Sequence, residues 1–162
     1  MKFGIGQPVR RVEDQRFLTG RSRYVDDIEL PHQAYGAVLM SPHAHARIRS
    51  IDSRKALQAP GVLCVLTGKD VQNEKLGGIP PLFMPEDMGG PKGYRTFRPL
   101  LEPAKARHVG ERVAFVVADT QENARLAAER VEVDYEPLAA VVNVEDAAKE
   151  GAPRVWDEWT SK

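Results

Sequence analysis

At 162 residues the chain holds one domain's worth of sequence, and a core can close at that length without a metal or disulfide staple. Its 23 Lys and Arg offset 23 Asp and Glu, so no global field draws it to phosphate, which argues against a general nucleic-acid binder. A hydrophobic share of 42% beside 28% charged residues fits a soluble globular protein and excludes a disordered charged tail.

The one cysteine, Cys64, can form no internal disulfide, which fits a reducing compartment and makes the cytoplasm the expected location. The longest apolar stretches, near residues 62–66 and 113–118, fall far short of the roughly 20 residues that cross a hydrocarbon core. The opening Met1-Lys2-Phe3-Gly4-Ile5-Gly6-Gln7-Pro8 breaks into Gly and Pro where a secretory signal needs an apolar run.

Residues 1–33 are rich in charge and turn formers and keep no period of 2 or 3.6, which predicts an extended arm. Residues 34–40 form the first apolar run, stopped by Ser41-Pro42, and read as a core strand. Ala46-Arg47-Ile48-Arg49 alternates apolar and basic, as a strand with one buried face does. Asp52 or Ser53 can cap a short helix over residues 54–59 that Pro60-Gly61 ends. Residues 62–67 are apolar on both parities, which predicts an interior strand covered on both sides with Cys64 in the core.

From residue 72 to residue 99 Gly and Pro break every candidate element, so a long irregular loop is expected there, of the kind that carries function or a partner contact. Residues 112–118 predict another strand. Asp119 and Glu122 are spaced as an approximate capping box for a helix running to about Arg130. Ala124, Ala127, Ala128 and Val131 line one face of that helix. Residues 131–135 alternate as a strand closed by Glu136-Pro137, residues 139–142 suggest a last short strand, and residues 144–149 a polar or helical turn. Two β-rich halves, each with one crossing helix, predict an α+β fold with a mixed sheet.

Candidates for chemistry are few. His43 and His45 would share a face on an extended chain and could in principle share a metal, yet no Cys or third clustered ligand accompanies them. A ring after the Ser-Pro turn more simply satisfies local backbone, and His32 and His108 are isolated. Glu13-Asp14 and Asp26-Asp27 are adjacent, so each pair points its acids to opposite faces and suits solvation or capping better than acid–base work. Cys64, between Leu63 and Val65, is expected to be an inert thiol. Residues 4–9 lack the third glycine and preceding strand of a dinucleotide fingerprint, and Gly77-Gly78 leads into prolines, so no phosphate cradle is expected. The residues by themselves yield no catalytic, cofactor-binding or metal site.

Val9-Arg10-Arg11-Val12-Glu13-Asp14-Gln15-Arg16-Phe17-Leu18-Thr19-Gly20, followed by Tyr24-Val25-Asp26-Asp27-Ile28-Glu29-Leu30-Pro31, resembles the opening of the large subunit of the xanthine dehydrogenase and aldehyde oxidase family of molybdenum hydroxylases. The resemblance is nearest to its aerobic carbon monoxide dehydrogenase-like branch. It continues in order through Ser41-Pro42-His43-Ala44-His45-Ala46-Arg47-Ile48, Pro60-Gly61-Val62 with Leu66-Thr67-Gly68, Val109-Gly110-Glu111, residues 133–138, and Gly151-Ala152-Pro153 with Asp157-Glu158-Trp159. Ser22 stands where the family usually has glycine, Arg112 where proline is common, and His32-Gln33 where a Pro-Gly turn is frequent; these departures bear on local turns.

The resemblance implies an amino-terminal α/β hammerhead domain: an arm over 1–33, the domain over 34–150 with its loop at 72–99, and an exit segment over 151–162 toward molybdopterin-binding domains. It implies that the complete enzyme carries molybdopterin, iron–sulfur centres and FAD, that none of these sits in this stretch, and that the His-x-His block opens a structural strand. The partners it implies are the molybdopterin-binding domains of the same subunit and the iron–sulfur and FAD subunits. On this reading the chain is a non-catalytic structural and interface domain of an oxidoreductase. The alternatives are a separately encoded interaction subunit that assembles with a molybdopterin-binding chain, and a self-contained enzyme built around His43 and His45.

Overall fold

A computed structural model describes Gly6 and residues 10–157. The described residues divide into two compact units, one within 1–33 and one within 34–162.

The first unit is not simply extended. A five-residue helix, α1 (Asp14–Leu18), interrupts it, and the Thr19 hydroxyl ends that helix by donating to the Gln15 carbonyl at 2.6 Å. Phe17 and Tyr24 then stack with ring centroids 4.3 Å apart. Asp27 accepts the Tyr24 amide at 2.8 Å and so closes a 3-10 turn over Val25–Asp27. The turn before β1 (Tyr35–Met40) is made by His32, held at φ +60°. The dinucleotide-like residues 4–9 lie outside the described residues except for Gly6, as do Glu158 and Trp159 of the last matching block.

The second unit is built on antiparallel sheets. In the first, β7 (Arg112–Ala118) lies between β1 (Tyr35–Met40) and β3 (Val62–Thr67). In the second, β2 (Ala46–Asp52) lies between the two-residue β6 (Lys105–Ala106) and β8 (Glu132–Pro137). A third pairs β4 (Gly78–Ile79) with β5 (Arg98–Pro99). The α+β class holds. The single mixed sheet does not, because every ladder among the described residues is antiparallel.

Even-numbered positions of β7 face the helices. Ala114 and Val116 pack with Ala56 and Ala59, around the turn of α2 (Arg54–Leu57), and with Ala127, Ala128 and Val131 on and after α4 (Gln121–Ala128). The small side chains of α4 let its axis approach the sheet closely, as the alanine spacing predicts. For α2 it is Asp52 that caps, accepting the Arg54 amide at 3.0 Å.

Other elements depart from expectation for identifiable reasons. α4 is capped by Thr120, whose hydroxyl accepts the Asn123 amide at 3.1 Å, while Asp119 instead takes the Asn123 side-chain amide at 2.8 Å; the Asp119/Glu122 box does not form. A helix that the residues did not announce, α3 (Gly68–Asn73), follows β3, its start fixed by the Asp70 carboxylate accepting both the Thr67 amide and hydroxyl at 2.7 Å. The 72–99 stretch is less irregular than its composition suggests. It carries the end of α3, β4, a 3-10 turn over Pro85–Met88 and β5. Residues 139–142 form no strand: the Leu138 amide reaches the His45 carbonyl at 2.9 Å, and the next carbonyl, that of Ala139, is taken by the His45 ring. The expected turn at 144–149 contains α5 (Val144–Ala147), capped by Asn143.

Candidate functional site

Within the second unit, the face of the β1-β7-β3 sheet opposite the helices is closed at Val113, which is fully buried, and open beyond it, where Val38, Met40 and Leu66 are exposed. Alternation sends Val38 and Met40 of β1, Phe115 and Val117 of β7, and Cys64 and Leu66 of β3 to that side. Met40 is 54% exposed and Leu63, at the bulge of β3, 63%. β3 is therefore an edge strand covered on one face, not an interior strand, and Cys64 is half-buried at the open face instead of lying in the core. A strand apolar on both parities has the same sequence whether its second face is already covered or still open. Phe115 forms the centre of the face, its ring lying where a side chain at Gly36 would go.

A second apolar feature is the tip of the 72–99 loop. Met84 is buried beneath it, Asp87 accepts the Met84 amide at 2.9 Å, and the Glu86 carboxylate bridges the Gly93 amide at 2.9 Å and Arg95 at 3.3 Å. These contacts make an internally braced loop that holds out Leu82, Met88 and Phe83, the last 80% exposed.

The histidines do not converge. His43 leans on Tyr135 with ring centroids 4.8 Å apart, and its amide donates to the buried Ser41 hydroxyl at 3.1 Å. Burial pushes the Tyr135 phenol above its ordinary range, against the pull of its hydrogen bond with Ser41. His45 is buried and donates from Nδ1 to the Ala139 carbonyl at 2.7 Å, a bond that fixes strand β2 to the chain leaving β8. His108 sits 3.4 Å from Glu111, exposed. Glu13 flanks α1 and Asp14 pairs with Arg11 at 3.4 Å.

No group of three or more His, Cys, Asp or Glu among the described residues could hold a metal. Gly78 is used for the close approach of β4 to β5, and Gly77 faces open space. The donor groups among the described residues do not fit a molybdenum centre or a phosphate cradle.

What sequence reasoning missed is a charged cluster around β6. Glu102 is buried and accepts the Arg107 guanidinium at 2.8 Å. Burial pushes its carboxyl above the usual range, against the pull of Arg107. Lys105 donates to Asp157 at 2.7 Å, and this bond holds the Asp157 carboxyl below the usual range. Arg107 lies over the Trp156 ring, 4.0 Å from its centroid. The Lys105–Asp157 and Arg107–Trp156 contacts join residues about 50 positions apart, with no local pattern to mark them.

The family model described as "Aldehyde oxidase and xanthine dehydrogenase, a/b hammerhead domain" matches residues 19–139. The chain belongs to this family. The chain is 40% identical over 159 residues to the carbon monoxide dehydrogenase large chain of Afipia carboxidovorans, covering 98% of this chain and 18% of that relative. It is 36% identical over 147 residues to the 6-hydroxypseudooxynicotine dehydrogenase complex subunit gamma of Paenarthrobacter nicotinovorans, covering 88% and 18%. Among solved structures, the Cu,Mo-CO dehydrogenase superposes with a TM-score of 0.75 at 41% identity, over 93% of this chain and 18% of that one. Quinoline 2-oxidoreductase from Pseudomonas putida 86 gives 0.74 at 42%, over 96% and 19%. The chain thus spans about a fifth of the length of these relatives. No helix among the described residues is long and apolar enough to cross a membrane.

Proposed function

We propose that this hammerhead chain is a supporting, non-catalytic shell of a cytoplasmic molybdenum hydroxylase. Its partners are molybdopterin-binding domains of the large subunit, with iron–sulfur and FAD subunits completing the assembly. The observation that carries the reading is the open face of β1-β7-β3, where uncharged residues surround Phe115 and Val38, Met40 and Leu66 are 39%, 54% and 40% exposed. Such a surface marks an interaction site in a soluble protein. Covering a half-exposed Val, Leu or Met there is worth on the order of 1 kcal/mol each. The braced loop tip at Phe83 offers a second contact of the same character. A shell of this kind acts by preorganisation: it fixes where a cofactor and substrate channel lie, and its own side chains need no reactive poise.

The test is assembly. The chain, unaltered or carrying Val38→Lys with Leu66→Lys, is co-expressed with the remaining domains of a large subunit of the family, and molybdenum in the captured complex is measured. Capture that falls at least tenfold in the double variant, with the variant's melting temperature unchanged, supports the reading. Equal capture by both chains, or substrate turnover by the unaltered chain alone, overturns it.

A further inference from the structure

A two-residue strand makes too short a ladder to hold itself in place, and β6 is only Lys105–Ala106. Its register on β2, Ala46 against Ala106 and Arg47 against Lys105, therefore needs support from side chains. Ala106 provides one part by full burial. The other part lies on the opposite side, because residues 105 and 107 share a face two positions apart.

Both residues on that face are cations engaged by consecutive residues of a segment about 50 positions away. Lys105 is only 8% exposed, and a buried ammonium costs several kcal/mol unless it is paired. Its partner is Asp157, itself 66% exposed. Arg107 is oriented from below by Glu102 at 2.8 Å and by the Lys105 carbonyl at 3.2 Å, so that its guanidinium presents a flat shelf to Trp156. Glu102 also receives the Lys105 amide at 3.3 Å, which ties the shelf to the turn before β6. Trp156 in turn walls a cleft of about 350 Å³ lined by Val71, Leu76, Phe97, Pro103 and Arg107.

We propose that residues 155–157 form a two-point latch, with Asp157 on Lys105 and Trp156 on Arg107, that holds β6 against β2 and closes the cleft beside α3. The folded hammerhead accordingly extends through Asp157 and does not stop at residue 150. The latch is independent of what covers the open sheet face, so its failure leaves the assembly proposal standing, and the reverse also holds.

The experiment is amide hydrogen exchange on the full chain at pH 7, with Asp157→Asn, Trp156→Ala and Lys105→Met. Asp157→Asn and Trp156→Ala are each expected to speed exchange at residues 105–107 about tenfold while β7 amides keep their rates. In a Trp159→Phe background Trp156 is the sole indole, and Asp157→Asn is expected to shift its emission to the red. Lys105→Met removes the charge that needs a partner, so adding Asp157→Asn to it should change exchange less than twofold. Unchanged exchange at 105–107 in both latch variants overturns the proposal. So does acceleration that spreads equally to β7, and so does full additivity of Lys105→Met and Asp157→Asn.

Discussion

The ring of Phe115 occupies the volume that a side chain on Gly36 would need. The two residues stand on neighbouring strands as a diagonal pair on one face, two residues off direct opposition, since Gly36 faces Val117 and Val38 faces Phe115. Gly36→Ala should therefore push the ring off the sheet, at a cost of about 1–3 kcal/mol in line with other overpacked sites. Adding Phe115→Leu should recover at least half of that loss, and urea midpoints of the single and double variants check it.

Gly61 is constrained differently. Its φ is +71°, and a Cβ there would run into the Asp119 carboxylate that holds Asn123. An L residue in that region costs roughly 1–2 kcal/mol and a displaced hydrogen bond about 1 more, so Gly61→Ala should lose at least about 2 kcal/mol. Gly77, where a Cβ meets nothing within 4 Å, serves as the comparison; Gly77→Ala should stay within about 0.5 kcal/mol. Thermal melts of the two variants check the contrast.

The start of α4 separates two capping schemes. Thr120 accepts the Asn123 amide, so Thr120→Ala should cost about 1 kcal/mol. Glu122→Ala should move stability by less than about 0.5 kcal/mol, as exposed sites without a structural role do. A larger loss at Glu122 than at Thr120 in chemical denaturation would contradict the observed cap.

The pH dependence at α3 has a definite sign. The Thr67 hydroxyl and amide hold the Asp70 carboxyl below its ordinary range. Because the folded value is depressed, its stabilisation is fully present above the unfolded carboxylate pKa of about 3.9. It fades as pH falls through the lower folded value. Asp70→Ala should lose about 1 kcal/mol at pH 7, and the gap to the unaltered chain should narrow on acidification below pH about 4. Denaturation midpoints across that range check it.

The elements with strong local signals were legible. The strands β1, β3 and β7 announce themselves by apolar runs, β2 and β8 by alternation, and α4 by its alanine stripe. α3 was not, because it opens on Gly68, a poor helix former whose place is set by close contact with the Pro103 backbone. β4, β5 and β6 have two residues each, too few to show any period. The open face was half legible: its residues were recognised as apolar, but whether an apolar strand is inside or at an edge depends on its neighbours. The Lys105–Asp157 and Arg107–Trp156 contacts left no trace in the sequence, since neither member of a distant pair marks the other.

The position of β7 at the centre of its sheet carries a kinetic consequence. β1 and β3 bond to it and not to each other, so β1 waits for a partner made about 80 residues later, and such non-local pairing is slow. Two bare hydrophobic ribbons thus emerge from the ribosome ahead of the strand that joins them. Such unpaired apolar segments are aggregation-prone until their partner arrives, so slowing translation before residue 112 should lower soluble yield more than slowing it after residue 118.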